Sequence, residues 1–195
     1  MSPPRSGQAP RDQLIAIALE LLDHHHPEDL SLREVARRAG LTSGAPAHHF
    51  GNKLGLLAAC AEVAWSDLSK RLESAGVGVS REQALKQRAR AYVDYGIDNR
   101  GPYRLMTSRR FEDAEQFAPI AAWRKRAMTC IVELIPAPPD DPKHSWRRGF
   151  AVWSLLHGHL TLLLDGAIPE AWIEEVVHDV CPMAVLVALL PPQER

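Results

Sequence analysis

A chain of 195 residues is long enough for one sizeable core, or for a small head joined to a larger body, and its 46% of apolar residues excludes a largely disordered protein. The net charge of −1 and the pI near 6.8 show none of the basic surplus that nucleic-acid binders often carry, although a local cluster of basic residues is compatible with these totals. No uncharged apolar run of about 18 residues and no secretory leader are present, so we expect a cytoplasmic protein with no membrane partner.

The N-terminal segment predicts a flexible arm followed by a helix. Residues 1–10 are rich in Pro, Ser and Gly, which favours a mobile arm. Apolar residues then recur at helical spacing over residues 11–23. We therefore expect the first helix to begin near Arg11.

The next segment predicts two short helices. Ser31-Leu-Arg-Glu34 matches a capping box, in which the serine and glutamate side chains satisfy free N–H groups at a helix start. Gly40 suits the left-handed residue that ends such a helix. We expect Thr42 to cap a third, very short helix that reaches Phe50, with Phe50 anchoring it in the core.

The remaining sequence predicts a series of longer helices. Asn52 caps a long helix, and a second capping box, Ser80-Arg-Glu-Gln83, opens the next one. Proline and glycine then divide the chain into further helices, and no segment alternates with period two, so the predicted class is all-α. The expected breaks are Gly76 to Gly78, Gly101-Pro102, Pro119 and residues 136–142. The expected final helices cover residues 145–164 and 169–190, and the last of them is kinked at Pro182.

The two short helices form a helix-turn-helix pattern across Ala39-Gly40-Leu41-Thr42. Small residues such as Ala36 allow the two helices to approach closely, and the second helix of such a motif enters the DNA major groove. Any corner between two helices shares this general pattern. The pattern alone therefore does not decide the function.

The detailed residues from 11 to 57 resemble the N-terminal domain of TetR-type regulators. This resemblance implies a DNA-binding head over residues 11–57, with its helix-turn-helix at residues 31–50. Ala47 departs from the family pattern, because most relatives place there a tyrosine that reaches a phosphate. The matching residues are Ser31, Val35-Ala36, Ala39-Gly40-Leu41-Thr42, Gly44, His49-Phe50, Lys53 and Leu56-Leu57.

The resemblance assigns DNA-contacting roles to the head. Hydroxyls and free amides at the start of the third helix meet phosphates, and its exposed side chains face base edges. Lys53 resembles the family's phosphate clamp, and two arginines of the second helix add electrostatic attraction. The predicted DNA-binding residues are Ser31, Arg33, Arg37, Thr42, Ser43, Gly44, Ala45, Ala47, His48 and Lys53.

We expect the body to comprise residues 58–195. Much of its stretch from Arg88 to Gly166 resembles the C-terminal domain of a TetR subgroup named for a Trp-His-Gly motif, seen here as Trp153 with His157-Gly158. Side chains that combine apolar bulk with a polar tip predict a ligand site. The family resemblance implies that the apolar last two helices form a four-helix interface with a second subunit. The predicted ligand-binding residues are Tyr92, Tyr95, Tyr103, Met106, Phe117, Trp123, Met128 and His157. The predicted dimerisation residues are Leu155, Leu156, His159, Leu162, Leu163, Val176, Val180, Val185, Leu186 and Leu189.

No metal or cofactor is expected. Cys60, Cys130 and Cys181 stand far apart, with no Cys-x-x-Cys pair, which favours buried reduced thiols. Consecutive histidines such as His24-His25-His26 seldom converge on one ion, and metal binding there is kept only as an alternative.

The sequence therefore predicts a homodimeric transcriptional regulator, in the family's default role of repressor, that a small hydrophobic effector releases from a pseudo-palindromic DNA operator. Two alternatives stay open. One is a dimeric helical adaptor that has lost DNA binding, which Ala47 and the modest charge allow. The other is a small helical enzyme, which we do not expect because no nucleophile, base and orienting group occur together.

Overall fold

The computed structural model describes residues 8–113, 115–135, 141 and 143–168. Every regular element in these ranges is helical, which confirms the predicted all-α class. The elements are α1 (Gln8–Leu22), α2 (Leu32–Arg38), α3 (Ala45–Phe50), α4 (Lys53–Ser74), α5 (Arg81–Asp98), α6 (Arg100–Met106), a 3₁₀ turn (Arg109–Phe111), α7 (Ala118–Val132) and α8 (His144–Leu164).

The chain divides into two compact units. The first unit comprises Met1–Ser66 and Asn99–Ala121, and the second comprises Asp67–Asp98 and Ala122–Arg195. The division falls inside α4 and inside α7. The first unit therefore contains α1 to α3 together with α6 and the 3₁₀ turn, which lie much later in the sequence.

Helices α1, α2 and α3 pack on one another in the first unit. Leu14 and Ala18 of α1 and Val35 and Ala36 of α2 are fully buried between them. Helix α1 begins at Gln8, so the predicted arm over residues 1–10 is too long. Proline is tolerated at position 10 because the first-turn N–H groups of a helix lack intrahelical partners.

Local chemistry defines both ends of α2, although the structure shows only the serine half of the predicted capping box, since the Glu34 carboxylate bonds Arg37 and Arg38. The Ser31 hydroxyl accepts a hydrogen bond from the Glu34 amide at 3.4 Å. At the other end Gly40 has φ +65°, the Leu41 amide donates to the Ala36 carbonyl at 2.9 Å, and the Gly40 amide donates to the Arg37 carbonyl at 3.1 Å. These two bonds make a Schellman motif, which satisfies carbonyls that the helix leaves free.

The start of α3 differs from the sequence prediction. The helix begins at Ala45, its N-cap is Gly44, and no side chain caps it. Thr42 is therefore not the cap; its backbone carbonyl instead accepts from the Ala45 amide at 3.0 Å, within a turn. Pro46 in the first helical turn fixes φ and needs no N–H partner, which explains why α3 starts here without a capping side chain.

Helix α6 begins directly against the end of α1. The Gly101 amide donates to Asp23 Oδ1 at 3.0 Å. A Cβ on Gly101 would lie 1.9 Å from the Leu22 carbonyl oxygen, so only glycine fits this approach of two backbones.

The second unit is built on α5 and α8, which pack together. Helix α5 opens with the predicted capping box, since the Ser80 and Gln83 side chains each bond the other's backbone amide at 3.3 Å. A Cβ on Gly96 would meet the Leu160 side chain at 2.1 Å, which shows how closely α8 approaches α5. The predicted last helix, residues 169–190, lies outside the described residues.

Candidate nucleic-acid interface

Helix α3 buries one side and exposes the other. Pro46 is buried, while Ala47 and His48 are exposed. Phe50, which the sequence placed in the core, is only half-buried, with the Arg11 guanidinium 5.4 Å from its ring centroid. Pro46 therefore supplies the inward contact of α3, since the ring of Phe50 is shared between the core and Arg11.

The turn before α3 continues the same exposed stretch. Thr42, Ser43 and Gly44 are exposed, and Ala45 is half-buried. Together with Ala47 and His48, these residues bring two hydroxyls, methyl groups and an imidazole into one short segment. We call Thr42, Ser43, Gly44, Ala45, Ala47 and His48 the α3 surface.

The outer face of α2 carries three arginines and one glutamate. Arg33, Arg37 and Arg38 are exposed, and Glu34 lies among them. Glu34 accepts hydrogen bonds from Arg37 through both carboxylate oxygens, at 2.6 and 2.8 Å, and from Arg38 Nε at 2.9 Å. These bonds lower the pKa of Glu34 to about 2 and raise that of Arg37, so this cluster stays ionised at any neutral pH.

Lys53 begins α4 and is half-buried, close to the loop between α1 and α2. Its ammonium donates to the Glu28 carbonyl, and the Glu28 carboxylate forms an ion pair with Arg110 of the 3₁₀ turn. The predicted phosphate clamp is thus tied to the protein's own backbone. A phosphate bound by Lys53 would share its ammonium with that carbonyl.

The predicted ligand-binding residues fall into both compact units. Tyr103, Met106 and Phe117 belong to the first unit, where all three are buried, and Phe117 packs edge-to-face on Phe111 at 5.2 Å. Phe117 also lines a groove of about 180 Å³ with Ile120 of α7 and part of α4. Three of the eight predicted residues therefore pack within the first unit.

The other five predicted ligand residues belong to the second unit. Tyr92 and Tyr95 are 1% and 2% exposed and are core residues. Trp123 and His157 are half-buried, and His157 stacks on Trp153 at 5.6 Å between ring centroids. With the half-buried Met128, they are the members of the predicted set that remain accessible.

The predicted dimerisation residues are dispersed around α8. Leu156 is 1% exposed and packs within its own unit, whereas Leu162 is 52% exposed. Leu155, His159 and Leu163 are half-buried. The remaining members, Val176, Val180, Val185, Leu186 and Leu189, lie outside the described residues.

The histidine triplet follows the end of α1. His24, His25 and His26 are exposed and line a cleft of about 150 Å³ with Arg104. Within the described ranges, no three His, Cys, Asp or Glu side chains come together as metal ligands. Nor does any helix in those ranges have the length and apolar character needed to cross a membrane.

Sequence reasoning missed two groups of contacts. The bonds of Glu34 join residues three and four apart on a helix, a spacing that does favour ion pairs. The contacts of Glu28 with Arg110 and of Asp23 with Gly101 join residues 82 and 78 positions apart. No local pattern signals such distant pairs.

The sequence matches two family models. Residues 14–60 match a model described as bacterial regulatory proteins of the tetR family, and residues 85–180 match a model described as a tetracyclin repressor-like C-terminal domain. The second description does not name the Trp-His-Gly subgroup, which stays a prediction.

A curated relative is similar over part of the chain. The HTH-type transcriptional regulator BetI of Stenotrophomonas maltophilia is 30% identical over 114 residues, which cover 57% of this chain and 50% of the relative. The match spans about half the length of this relative and of two further BetI regulators, from Chromohalobacter salexigens and Ectopseudomonas mendocina.

Solved structures share the fold. A TetR family transcriptional regulator, PfmR from Thermus thermophilus, superposes with a TM-score of 0.67 at 22% identity, covering 94% of this chain and 100% of that chain. TetR-Q116A from Acinetobacter baumannii AYE, solved in complex with minocycline, gives a TM-score of 0.61 at 22% identity, covering 90% and 91%. At these identities the likeness establishes the fold.

Proposed function

Since this chain belongs to the TetR family of bacterial regulatory proteins, we propose that it is a homodimeric repressor that binds a pseudo-palindromic operator and leaves it when a small hydrophobic effector binds. The observation that carries this proposal is the α3 surface: a short run of exposed small, hydroxylated and imidazole side chains that follows a helix with an arginine-rich outer face. The net charge of −1 does not oppose it, because the cations are concentrated locally.

The side chains on the exposed side of α3 would recognise the base sequence of the operator. The methyl group of Ala47 suits contact with a thymine methyl, and His48 can exchange a hydrogen bond with a purine edge in the major groove. Thr42 and Ser43 precede the helix, and their hydroxyls suit phosphate oxygens, which fix the position of the helix on the duplex. Specificity is thus assigned chiefly to His48 and Ala47.

Affinity would come from the cations around α3. Arg33 and Arg37 on α2 and Lys53 at the start of α4 would displace counterions from phosphates, which makes binding salt-dependent. Ala47 supplies no hydroxyl where the family pattern has a tyrosine. We therefore expect these three cations to contribute more of the affinity for the DNA backbone than they would if a tyrosine stood at position 47.

The effector would bind in the second unit. Trp123, Met128 and His157 are half-buried there and combine apolar surface with the polar ring nitrogens of Trp123 and His157, as ligand sites do. The minocycline complex of a protein with the same fold supports binding of a small molecule. Helix α4 contributes residues to both units and begins with Lys53, so a change in the second unit has a covalent route to the DNA-contacting end.

Binding would require two copies of the chain. A two-fold axis matches a pair of α3 helices to the two halves of a palindromic operator. Exposed Leu162 and half-buried Leu155, His159 and Leu163 on α8 are our candidates for contact with the second copy.

The test is selection of bound duplexes from a random pool by the full chain, followed by fluorescence-anisotropy titration of the selected duplex and an unrelated one at several salt concentrations. A repressor of this type enriches a palindromic sequence and binds it far more tightly than the unrelated duplex. Recovery of no sequence above the nonspecific background would overturn the proposal, and would favour the adaptor.

Two matched pairs of variants refine the test. His48→Ala should cost about 1–3 kcal/mol of discrimination at one base position, whereas the exposed His25→Ala should not. Lys53→Ala should weaken binding to both duplexes alike and reduce the salt slope by about 1, whereas Lys86→Ala, which removes a lysine paired with Glu82 in the second unit, should not.

A further inference from the structure

The outer face of α2 contains a single acidic residue among basic ones. Arg33, Glu34, Arg37 and Arg38 are the outward residues of this seven-residue helix, whose inner side is formed by buried Val35 and Ala36. A face that is to attract phosphates is expected to be purely basic. The carboxylate of Glu34 therefore needs a separate explanation.

The side chain of Glu34 bonds two arginines further along the helix and not the backbone at the helix start. The backbone amide of Glu34 donates to the Ser31 hydroxyl, while its carboxylate bonds Arg37 and Arg38. Both oxygens are used: one accepts from Arg37 Nη2 at 2.6 Å and Arg38 Nε at 2.9 Å, and the other accepts from Arg37 Nε at 2.8 Å. The carboxylate is therefore directed at the arginines.

The bond to Arg37 uses a particular edge of the guanidinium. Nε and Nη2 form the planar fork with which arginine binds carboxylates and phosphates through two parallel hydrogen bonds. Glu34 fills that fork in the free protein. A DNA phosphate that bound Arg37 in the same bidentate geometry would have to displace the carboxylate.

We propose that Glu34 is an internal competitor for phosphate, occupying the forked edge of Arg37 and thereby weakening the sequence-independent part of DNA binding. This inference rests on the proposed function. Its consequence is weaker binding to specific and nonspecific DNA alike, because the backbone attraction common to all DNA is reduced while the base contacts made by α3 are untouched.

The same contact has an opposite interpretation, in which Glu34 holds Arg37 in the geometry that phosphate requires. The two interpretations predict opposite changes in DNA affinity when the Glu34 carboxylate is removed. A competitor that is removed leaves DNA binding tighter, whereas a positioning group that is removed leaves it weaker. Exposure favours competition, since 72% of the Arg37 side chain is accessible and is free to reorient once the carboxylate is lost.

The experiment uses the full chain with Glu34→Gln, which keeps the size and the backbone amide but removes the charge. Dissociation constants are measured for the selected duplex and for an unrelated duplex across a range of salt concentrations. We expect about threefold to tenfold tighter binding to both duplexes, and a salt slope steeper by about one phosphate contact. Equal or weaker binding overturns the inference.

A second background shows whether Arg37 carries the effect. Arg37→Gln alone should weaken both duplexes, and adding Glu34→Gln to it should give a much smaller gain than in the unmodified chain, because the contested fork is gone. An undiminished gain in that background overturns the assignment to Arg37. Circular dichroism and thermal unfolding confirm that each variant is folded.

A matched control comes from the second unit, where Glu73 makes a similar pair with Arg126, whose Nη2 lies 2.9 Å from the carboxylate. Glu73→Gln should leave both dissociation constants unchanged. If the unmodified chain selects no duplex, the proposed function fails. If it selects one but Glu34→Gln does not tighten binding, this inference alone fails.

Discussion

Two helix pairs, α1 with α6 in the first unit and α5 with α8 in the second, each have a glycine at their contact. The two pairs differ in which atoms of the neighbouring helix lie against that glycine. Gly101 of α6 faces the backbone of Leu22, and Gly96 of α5 faces the end of the Leu160 side chain. A backbone carbonyl cannot move without distorting its helix, whereas a leucine can change rotamer. The first pair is therefore rigidly specified, and the second pair can adjust.

This difference suits the two roles that we propose. A head that reads base edges must hold α3 in one position, because small displacements lose the hydrogen bonds that discriminate bases. A unit that receives an effector benefits from contacts that can repack.

Gly101→Ala should have the largest effect. Its Cβ would lie 1.9 Å from the Leu22 carbonyl oxygen and 2.6 Å from the Asp23 amide nitrogen, so α6 must separate from α1. We expect the free energy of unfolding in urea, at fixed protein concentration, to fall by about 3 kcal/mol, the upper part of the range for overpacking. Gly44→Ala, with no atom near its Cβ and a φ of −83°, is the control and should change stability by less than about 0.5 kcal/mol. Similar losses in both variants would contradict the backbone contact.

Gly96→Ala should have a smaller effect that a second substitution can relieve. The clash is with Leu160 Cδ2 at 2.1 Å, and we expect a loss of about 1 kcal/mol, the lower part of the same range. Adding Leu160→Val should recover part of that loss. In the first unit, adding Leu22→Ala to Gly101→Ala should recover nothing, because the carbonyl remains. Recovery in both pairs, measured by the same urea titrations, would remove the contrast.

Ser31→Ala compares the helix starts within the first unit. The Ser31 hydroxyl caps α2, so its loss should lower the free energy of unfolding by about 1 kcal/mol. Thr42→Ala should cost less than about 0.5 kcal/mol, since α3 starts at Ala45 without a side-chain cap. A Thr42 effect as large as that of Ser31 would mean that α3 begins earlier than the structure shows.

These helix starts show which parts of the fold can be predicted from the sequence. The starts of α2 and α5 were predicted because a cap acts within three residues, and Asn52 caps α4 as expected by accepting from the Gly55 amide at 3.0 Å. The start of α3 was predicted wrongly because Thr42, Ser43 and Gly44 are all acceptable caps. In the structure the cap is Gly44, and Pro46 follows it in the first helical turn, where it is buried.

The candidate DNA-binding site was predicted only in part from the sequence. The exposed residues of the α3 surface were predicted from family resemblance, and Ala47 and His48 are indeed exposed. The tie between Lys53 and the Glu28 carbonyl was not predicted, because it joins residues 25 positions apart. Tyr92 and Tyr95 were assigned to a ligand site, but hydropathy does not distinguish a tyrosine in a core from one that lines a cavity.

The smallest expected effect is a pH response confined to the second unit. Burial lowers the pKa of His157 and of His159 below the ordinary value of 6.5. Below that value the unfolded chain binds more protons at these positions than the folded chain, so their contribution to stability is complete above pH 6.5 and is lost as the pH falls. Both groups are about half-buried, and solvent screening keeps the effect small.

Urea unfolding at pH 7.5 and 5.5 measures this contribution through a double variant, His157→Gln with His159→Gln. The decrease in the free energy of unfolding between the two pH values should be smaller in this variant than in the unmodified chain. The control is His24→Gln with His25→Gln, at exposed positions of the first unit, and should leave the decrease unchanged. If the control removes as much of the decrease as the test variant, the pH response is not confined to the second unit. The first unit, in which the helix contact is rigid, would then respond to pH as well, and the pH response would no longer distinguish the two units.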